Sequence, residues 1–168
     1  DTDDGELARR VGAALGRELR AMSFDVDFAP VLDVDTNPDN PVIGDRSLSR
    51  DPAVVGRLGA ALIDGLQSVG VAACAKHFPG HGDTALDSHM QLVTVTADRT
   101  RLDAVELLPF RSAVAAGVDA VMTGHIAVPA LDATNTPATL SAPMSTDLLR
   151  TELGFDGLIV TDAMEMSG

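Results

Sequence analysis

Tryptophan and tyrosine are absent and phenylalanine numbers only five. A ligand of this protein cannot lie on a wide aromatic platform, and is expected to be held by polar contacts. The single cysteine, Cys74, has no partner for an internal disulfide, so cysteine usage leaves the compartment open. Cations are scarce: 12 lysines and arginines face 25 aspartates and glutamates, for a net charge of −13. A field of that sign repels phosphates and argues against nucleic acid or an anionic membrane surface as partner. No apolar run approaches the roughly 20 residues that a membrane span needs. The acidic opening Asp1-Thr2-Asp3-Asp4 does not resemble a secretion leader, so a cytoplasmic or an exported location is left to depend on a leader not seen here.

What is present is a globular pattern, with 45% hydrophobic and 22% charged residues. Four continuous apolar runs read as strands covered on both faces, as in parallel sheets: residues 26–34 (VDFAPVLDV), 70–78 (GVAACAKHF), 120–126 (AVMTGHI) and 157–164 (GLIVTDAM). Helical spacing surrounds them. Leu7, Val11, Leu15 and Met22 mark a first helix. Asp51 can cap a second, with Pro52 at its first position and Val55, Leu58, Leu62, Leu66 and Val69 as its stripe. A third is predicted over residues 100–116, kinked or divided by Pro109, and a shorter fourth over residues 145–153, ended by Gly154.

This α-β alternation fits either a doubly wound sheet or a (β/α)₈ barrel of the TIM type. Polar residues at strand ends favour the barrel: Asp33 and Asp35 on the first strand, Lys76 and His77 on the second, His125 on the third and Asp162 on the fourth. No Gly-x-Gly-x-x-Gly follows the first strand, which disfavours a dinucleotide fold. A complete barrel takes about 250 residues. Only about four β/α units are visible, so a partial barrel is expected, a fragment of a longer chain or a truncated form. Its bare strand edges would favour self-association.

The densest polar stretch is residues 76–83 (KHFPGHGD), followed by Asp87-Ser88-His89. Two glycines and a proline within five residues shape a loop there. Asp87 and His89, two apart in an extended segment, point the same way, and a carboxylate beside an imidazole fixes its tautomer and tunes its basicity. A solvated loop with an incidental contact would show the same spacing. His77, His81, Asp83 and His89 could in principle gather a divalent metal for hydrolysis, but Pro79-Gly80 spoils a helix between the two histidines at i, i+4 spacing. No metal and no other cofactor is expected.

Residues 76–82 (KHFPGHG) with Asp87-Ser88-His89, preceded by residues 28–34 (FAPVLDV) and 44–47 (GDRS) and followed by residues 159–164 (IVTDAM), resemble glycoside hydrolase family 3, in its β-N-acetylglucosaminidase branch. The motifs stand in family order over nearly the whole chain. The resemblance implies part of one catalytic barrel domain over residues 1–168, acting on terminal β-linked N-acetylglucosamine from cell-wall muropeptides or chitooligosaccharides. It implies Asp162 as nucleophile, His89 as acid/base with Asp87 as its partner, and Lys76, His77 and Arg46 as ligands of the sugar hydroxyls. His125 and Asp33 are counted with the sugar-facing residues, although Asp33 and Asp35 are also expected to shape the mouth through backbone hydrogen bonds. His81 is expected to brace its own loop. The family's Asp-Gln-Glu-Gly-Gly type segment, from an earlier strand, does not occur in this chain. A β-glucosidase of the same family is disfavoured, since that branch lacks the Asp-Ser-His loop. A phosphorolytic relative and a non-catalytic sugar-binding remnant compete with the hydrolase reading.

Overall fold

A computed structural model describes residues 4–84 and 92–166. Helix α1 spans Gly5–Ala21, its N-terminus capped by the Asp4 carboxylate, which accepts from the Leu7 N–H. Strand β1 covers only Val26–Asp27, and α2 runs over Pro52–Gln67 behind its Asp51 cap. Next come β2 (Ala72–Phe78), β3 (Val93–Thr94), α3 (Arg99–Ala104), α4 (Leu107–Ala115), β4 (Ala120–Thr123) and β5 (Ile126–Ala127). A final helix, α5 (Pro143–Glu152), leads to β6 (Leu158–Thr161). Four strands form one parallel sheet in the order β1-β2-β4-β6, with helices between successive strands, and β3 and β5 make a small parallel pair beside it. This is part of a (β/α)₈ barrel.

The differences from the sequence pattern have local causes. The first run does not continue as a regular ladder to residue 34. After Asp27 only separate bonds to β2 remain: the Ala29 and Pro30 carbonyls accept from the Cys74 and Lys76 N–H groups, and the Leu32 N–H donates to the Lys76 carbonyl, while Pro30 has no N–H to give. The third run divides: Gly124 and His125 leave the main sheet, and Ile126–Ala127 pairs instead with Val93–Thr94, a strand that the apolar pattern does not mark. Pro109 does divide the third helix, but the break falls at residues 105–106. A proline clashes with and cannot bond to the carbonyl four residues before it, here that of Val105. Helix α5 is wound wider than an α-helix, with the Leu153 N–H donating to the Leu148 carbonyl five residues back.

Packing of α1 also departs from its stripe. The face against α2 consists of Gly12, Ala13 and Gly16, while Leu7, Val11 and Leu15 stay exposed. Small residues let the two backbones approach closely: a Cβ on Gly65 would stand 2.2 Å from the Arg9 carbonyl oxygen, and one on Gly12 would stand 2.5 Å from that of Leu62. The main core gathers between sheet and helices around Leu32, Val55, Ile63, Phe78, Phe110 and Val121. Phe78 and Phe110 meet edge to face, their centroids 5.3 Å apart. Apolar side chains at both margins of the sheet are open, including Val26 and Phe28 on one side and Leu158 on the other. Among the described residues no helix is long and apolar enough to cross a membrane.

Candidate active site

The carboxyl ends of β2, β4 and β6 converge, and the segment after β1 closes the same end. At the end of β2 the pairing with β4 shifts register between Lys76 and Phe78, so regular alternation stops there. Lys76 is half-buried, and His77 is buried against the Asp33 carboxylate, its Nδ1 lying 2.7 Å from Asp33 Oδ2. A carboxylate only accepts, so Nδ1 carries the proton and Nε2 is turned to the mouth, where it lies 3.9 Å from Asp162 Oδ2.

Asp33 itself is 1% exposed and fully engaged. Besides the ring, its Oδ1 accepts from the His81 N–H at 2.7 Å, and both oxygens receive the His77 N–H at 3.3 Å. Burial alone would raise this carboxyl; the His77 ring and the His81 N–H outweigh it and hold Asp33 below the ordinary carboxylate value. Asp33 is therefore not sugar-facing. It is the post to which the His77 and His81 N–H groups of the KHFPGH segment are tied.

Asp33→Asn places an amide donor among these N–H groups. It is expected to cost about 2–4 kcal/mol, checked by denaturant unfolding at neutral pH. Because its folded pKa is depressed, the charge contribution of Asp33 is present above the unfolded value of about 3.9 and is lost as pH falls through the lower folded value. The difference in stability between wild type and Asp33→Asn should therefore narrow as pH is lowered through that range.

The loop after β2 is held from several sides. Asn40 donates to the carbonyl oxygens of His81 and Gly82 at 2.8 and 3.1 Å, and His81 Nδ1 lies 2.6 Å from Thr84 Oγ1, so His81 does brace its own loop. Gly82 passes so near the segment after β1 that a Cβ would stand 1.7 Å from the Val34 carbonyl oxygen. Asp83 Oδ1 accepts from Thr36 Oγ1 and lies 3.7 Å from Arg101, which also pairs with the buried Glu106 at 3.0 Å. Burial raises the Glu106 carboxyl, against the pull of Arg101. Asp87 and His89 fall outside the described residues; the loop that leads to them ends, as described, at Thr84.

Asp162 follows β6, its N–H donating to the Thr123 carbonyl of β4 at 3.0 Å. Its Oδ1 accepts from the Ala163 N–H at 2.8 Å, and its side chain retains 23% exposure. Burial, and after it the nearby Arg46 guanidinium, push the Lys76 ammonium below its ordinary value, while Asp162 pulls the other way. Lys76 thus lies in the field of both Arg46 and Asp162. Arg46 is exposed and donates to the Val42 carbonyl at 3.2 Å, and Asp35 is paired with Arg50 at 2.8 Å. His125 is buried, with Nδ1 2.8 Å from Thr139 Oγ1 and Nε2 3.0 Å from the Ala163 carbonyl oxygen. Both ring nitrogens meet protein atoms, so the structure does not present them to a ligand as the sequence reading expects. Burial pushes the Cys74 thiol up to about 12, which removes it as a nucleophile. Among the described residues no three His, Cys, Asp or Glu side chains gather as a metal site.

A mouth that brings Lys76 and His77 near the partly exposed Asp162 carboxylate suits attack on a polyhydroxylated substrate. The sequence profile of the glycosyl hydrolase family 3 N-terminal domain matches residues 1–168. The chain belongs to glycoside hydrolase family 3. Beta-hexosaminidase A of Pseudoalteromonas piscicida is 44% identical over 96% of this chain and 29% of its own length. A beta-hexosaminidase of Thiobacillus denitrificans is 45% identical over 97% of this chain and 45% of its own. The solved family 3 β-N-acetylglucosaminidase from Paenibacillus sp. str. FPU-7 superposes with a TM-score of 0.96 at 53% identity, covering 97% of this chain and 31% of that one. The chain thus spans less than half the length of these relatives.

Asn40, Glu106 and Thr139 carry no signal in the sequence that would single them out. Asn40 sits in a turn-forming run beside Pro41, and its partners lie about 40 residues away.

Proposed function

We propose that the protein of which residues 1–168 form part of a single catalytic barrel domain is a retaining exo-β-N-acetylhexosaminidase. It removes terminal β-linked N-acetylglucosamine, with cell-wall muropeptides or chitooligosaccharides as its substrate class. The observation that carries this reading is the contrast between two carboxylates, Asp33 after β1 and Asp162 after β6. Asp33 is sealed and saturated with donors, whereas the Asp162 side chain stays partly exposed, 3.9 Å from His77 Nε2 and in the field of Lys76.

In the first step Asp162 attacks the anomeric carbon, the glycosidic bond breaks, and His89 protonates the departing oxygen. In the second, His89 takes a proton from water, which attacks the anomeric carbon and frees Asp162. Two inversions leave the β configuration in place. Asp87 holds the His89 ring in the tautomer that this exchange requires. Lys76, Arg46 and the His77 Nε2 side of the mouth hold the sugar hydroxyls, charged donors serving where an aromatic platform is lacking.

Proton NMR of early turnover tests this directly. β-N-acetylglucosamine must appear before mutarotation supplies the α anomer, and added phosphate must not divert the product. First-formed α sugar would exclude the double displacement, and a glycosyl phosphate would make the enzyme a phosphorylase.

A further inference from the structure

His125 sits two residues past the end of β4, yet its ring reaches the segment after β6. Its Nε2 lies 3.0 Å from the Ala163 carbonyl oxygen. A carbonyl only accepts, so this nitrogen is a donor. The opposite end of the same residue, the Ala163 N–H, donates to Asp162 Oδ1 at 2.8 Å. The Asp162 N–H is in turn bonded to the Thr123 carbonyl at 3.0 Å. Residues 162 and 163 are therefore pinned to the β4 end twice, once through backbone and once through an imidazole.

The ring has its own support. Nδ1 lies 2.8 Å from Thr139 Oγ1, whose hydroxyl also approaches the Gly124 carbonyl at 3.1 Å. Thr139 is anchored from the neighbouring residue, the Ala138 N–H donating to the Ile126 carbonyl at 2.9 Å. The ring is 5% exposed, whereas Ala163 and Met164 just beyond Asp162 are open to solvent. A rigid wedge thus meets a segment with little cover of its own.

We propose that His125 is a positioning residue for the Asp162 carboxylate, acting through Ala163 and not by touching sugar. The inference rests on the reading of Asp162 as nucleophile. Nucleophilic attack needs reacting atoms within about 3–3.5 Å, and a misplacement of about 1 Å can cost up to about 100-fold in rate. A lost donor at the Ala163 carbonyl frees that residue to turn, taking its N–H away from Oδ1 and the carboxylate from its line of attack.

Two substitutions separate the roles of the ring nitrogens, because a glutamine amide reaches about as far as Nε2 and an asparagine amide only about as far as Nδ1. The full polypeptide is treated with a 5-fluoro-N-acetylglucosaminyl fluoride, and the rate constant and apparent affinity of covalent inactivation are measured with thermal melts alongside. His125→Asn is expected to slow inactivation about 10- to 100-fold with unchanged apparent affinity, while His125→Gln stays within about threefold of wild type at a similar melting temperature. Equal rates in both variants, losses that track melting temperature, or a change confined to apparent affinity would each overturn the proposal, the last by making His125 a sugar contact. Wild type that is not labelled at Asp162 at all overturns the nucleophile reading, and this inference with it.

Discussion

Asp162→Ala in the full polypeptide lowers turnover of an aryl β-N-acetylglucosaminide by about 10⁴-fold or more, with little loss of stability. The carboxylate makes its one bond among the described residues to its neighbour Ala163, so truncation leaves no buried donor without a partner. The chemistry loses its covalent intermediate, and Lys76, Arg46 and His77 can still hold the sugar. The loss should thus appear in kcat with KM much less affected. Parallel steady-state kinetics and thermal melts of wild type and variant check this. A fall in melting temperature matching the loss of rate would instead make Asp162 a structural residue at the end of β6.

His89→Ala separates substrates by their leaving groups. A poor leaving group needs a proton in the first step and should lose about 10²–10⁴-fold, whereas an activated dinitrophenyl glycoside should be cleaved in that step almost as fast as by wild type. Deglycosylation, which needs a base, then becomes slow, and azide should restore part of it by attacking without one. Asp87→Asn should give a weaker form of the same split, because the ring keeps its place but loses the anion that favours the correct tautomer. The basic limb of its rate profile should move to lower pH, since removing a neighbouring anion destabilises the imidazolium. Equal losses on both substrates would leave His89 a loop brace.

The alternation of apolar runs and helical stripes suffices to specify a parallel α/β sheet with its polar residues at one end. The runs reflect burial on both faces, a property each strand carries in its own composition. Other features depend on partners distant in the chain and could not be read locally. The Leu7-Val11-Leu15 stripe marks α1 as a helix but not the face it packs with, because the approach to α2 is decided by Gly12 and Gly65 together. The second half of the AVMTGHI run leaves the sheet for a strand only two residues long, too short to show a period.

The same holds at the site. Lys76, His77 and Asp162 stood out as polar residues closing apolar strands, and the structure brings them to one mouth. Asp33 carries the same signal in the sequence but is a buried post, since spacing alone cannot say which of two acids closing apolar runs the next loop will cover. His125 likewise reads as a mouth residue. What engages its ring, Thr139 on one side and Ala163 on the other, comes from 14 and 38 residues farther along the chain.

Everything in the proposed mechanism turns on attack by Asp162 on the sugar. The most direct measurement is peptide mapping by mass spectrometry after brief treatment of the full polypeptide with a 5-fluoro-N-acetylglucosaminyl fluoride. One sugar per chain is expected, on the peptide containing Asp162 and lost in Asp162→Ala, with no label on Asp33 or Asp35. A stable adduct on any other carboxylate, with Asp162 unmodified, would contradict it.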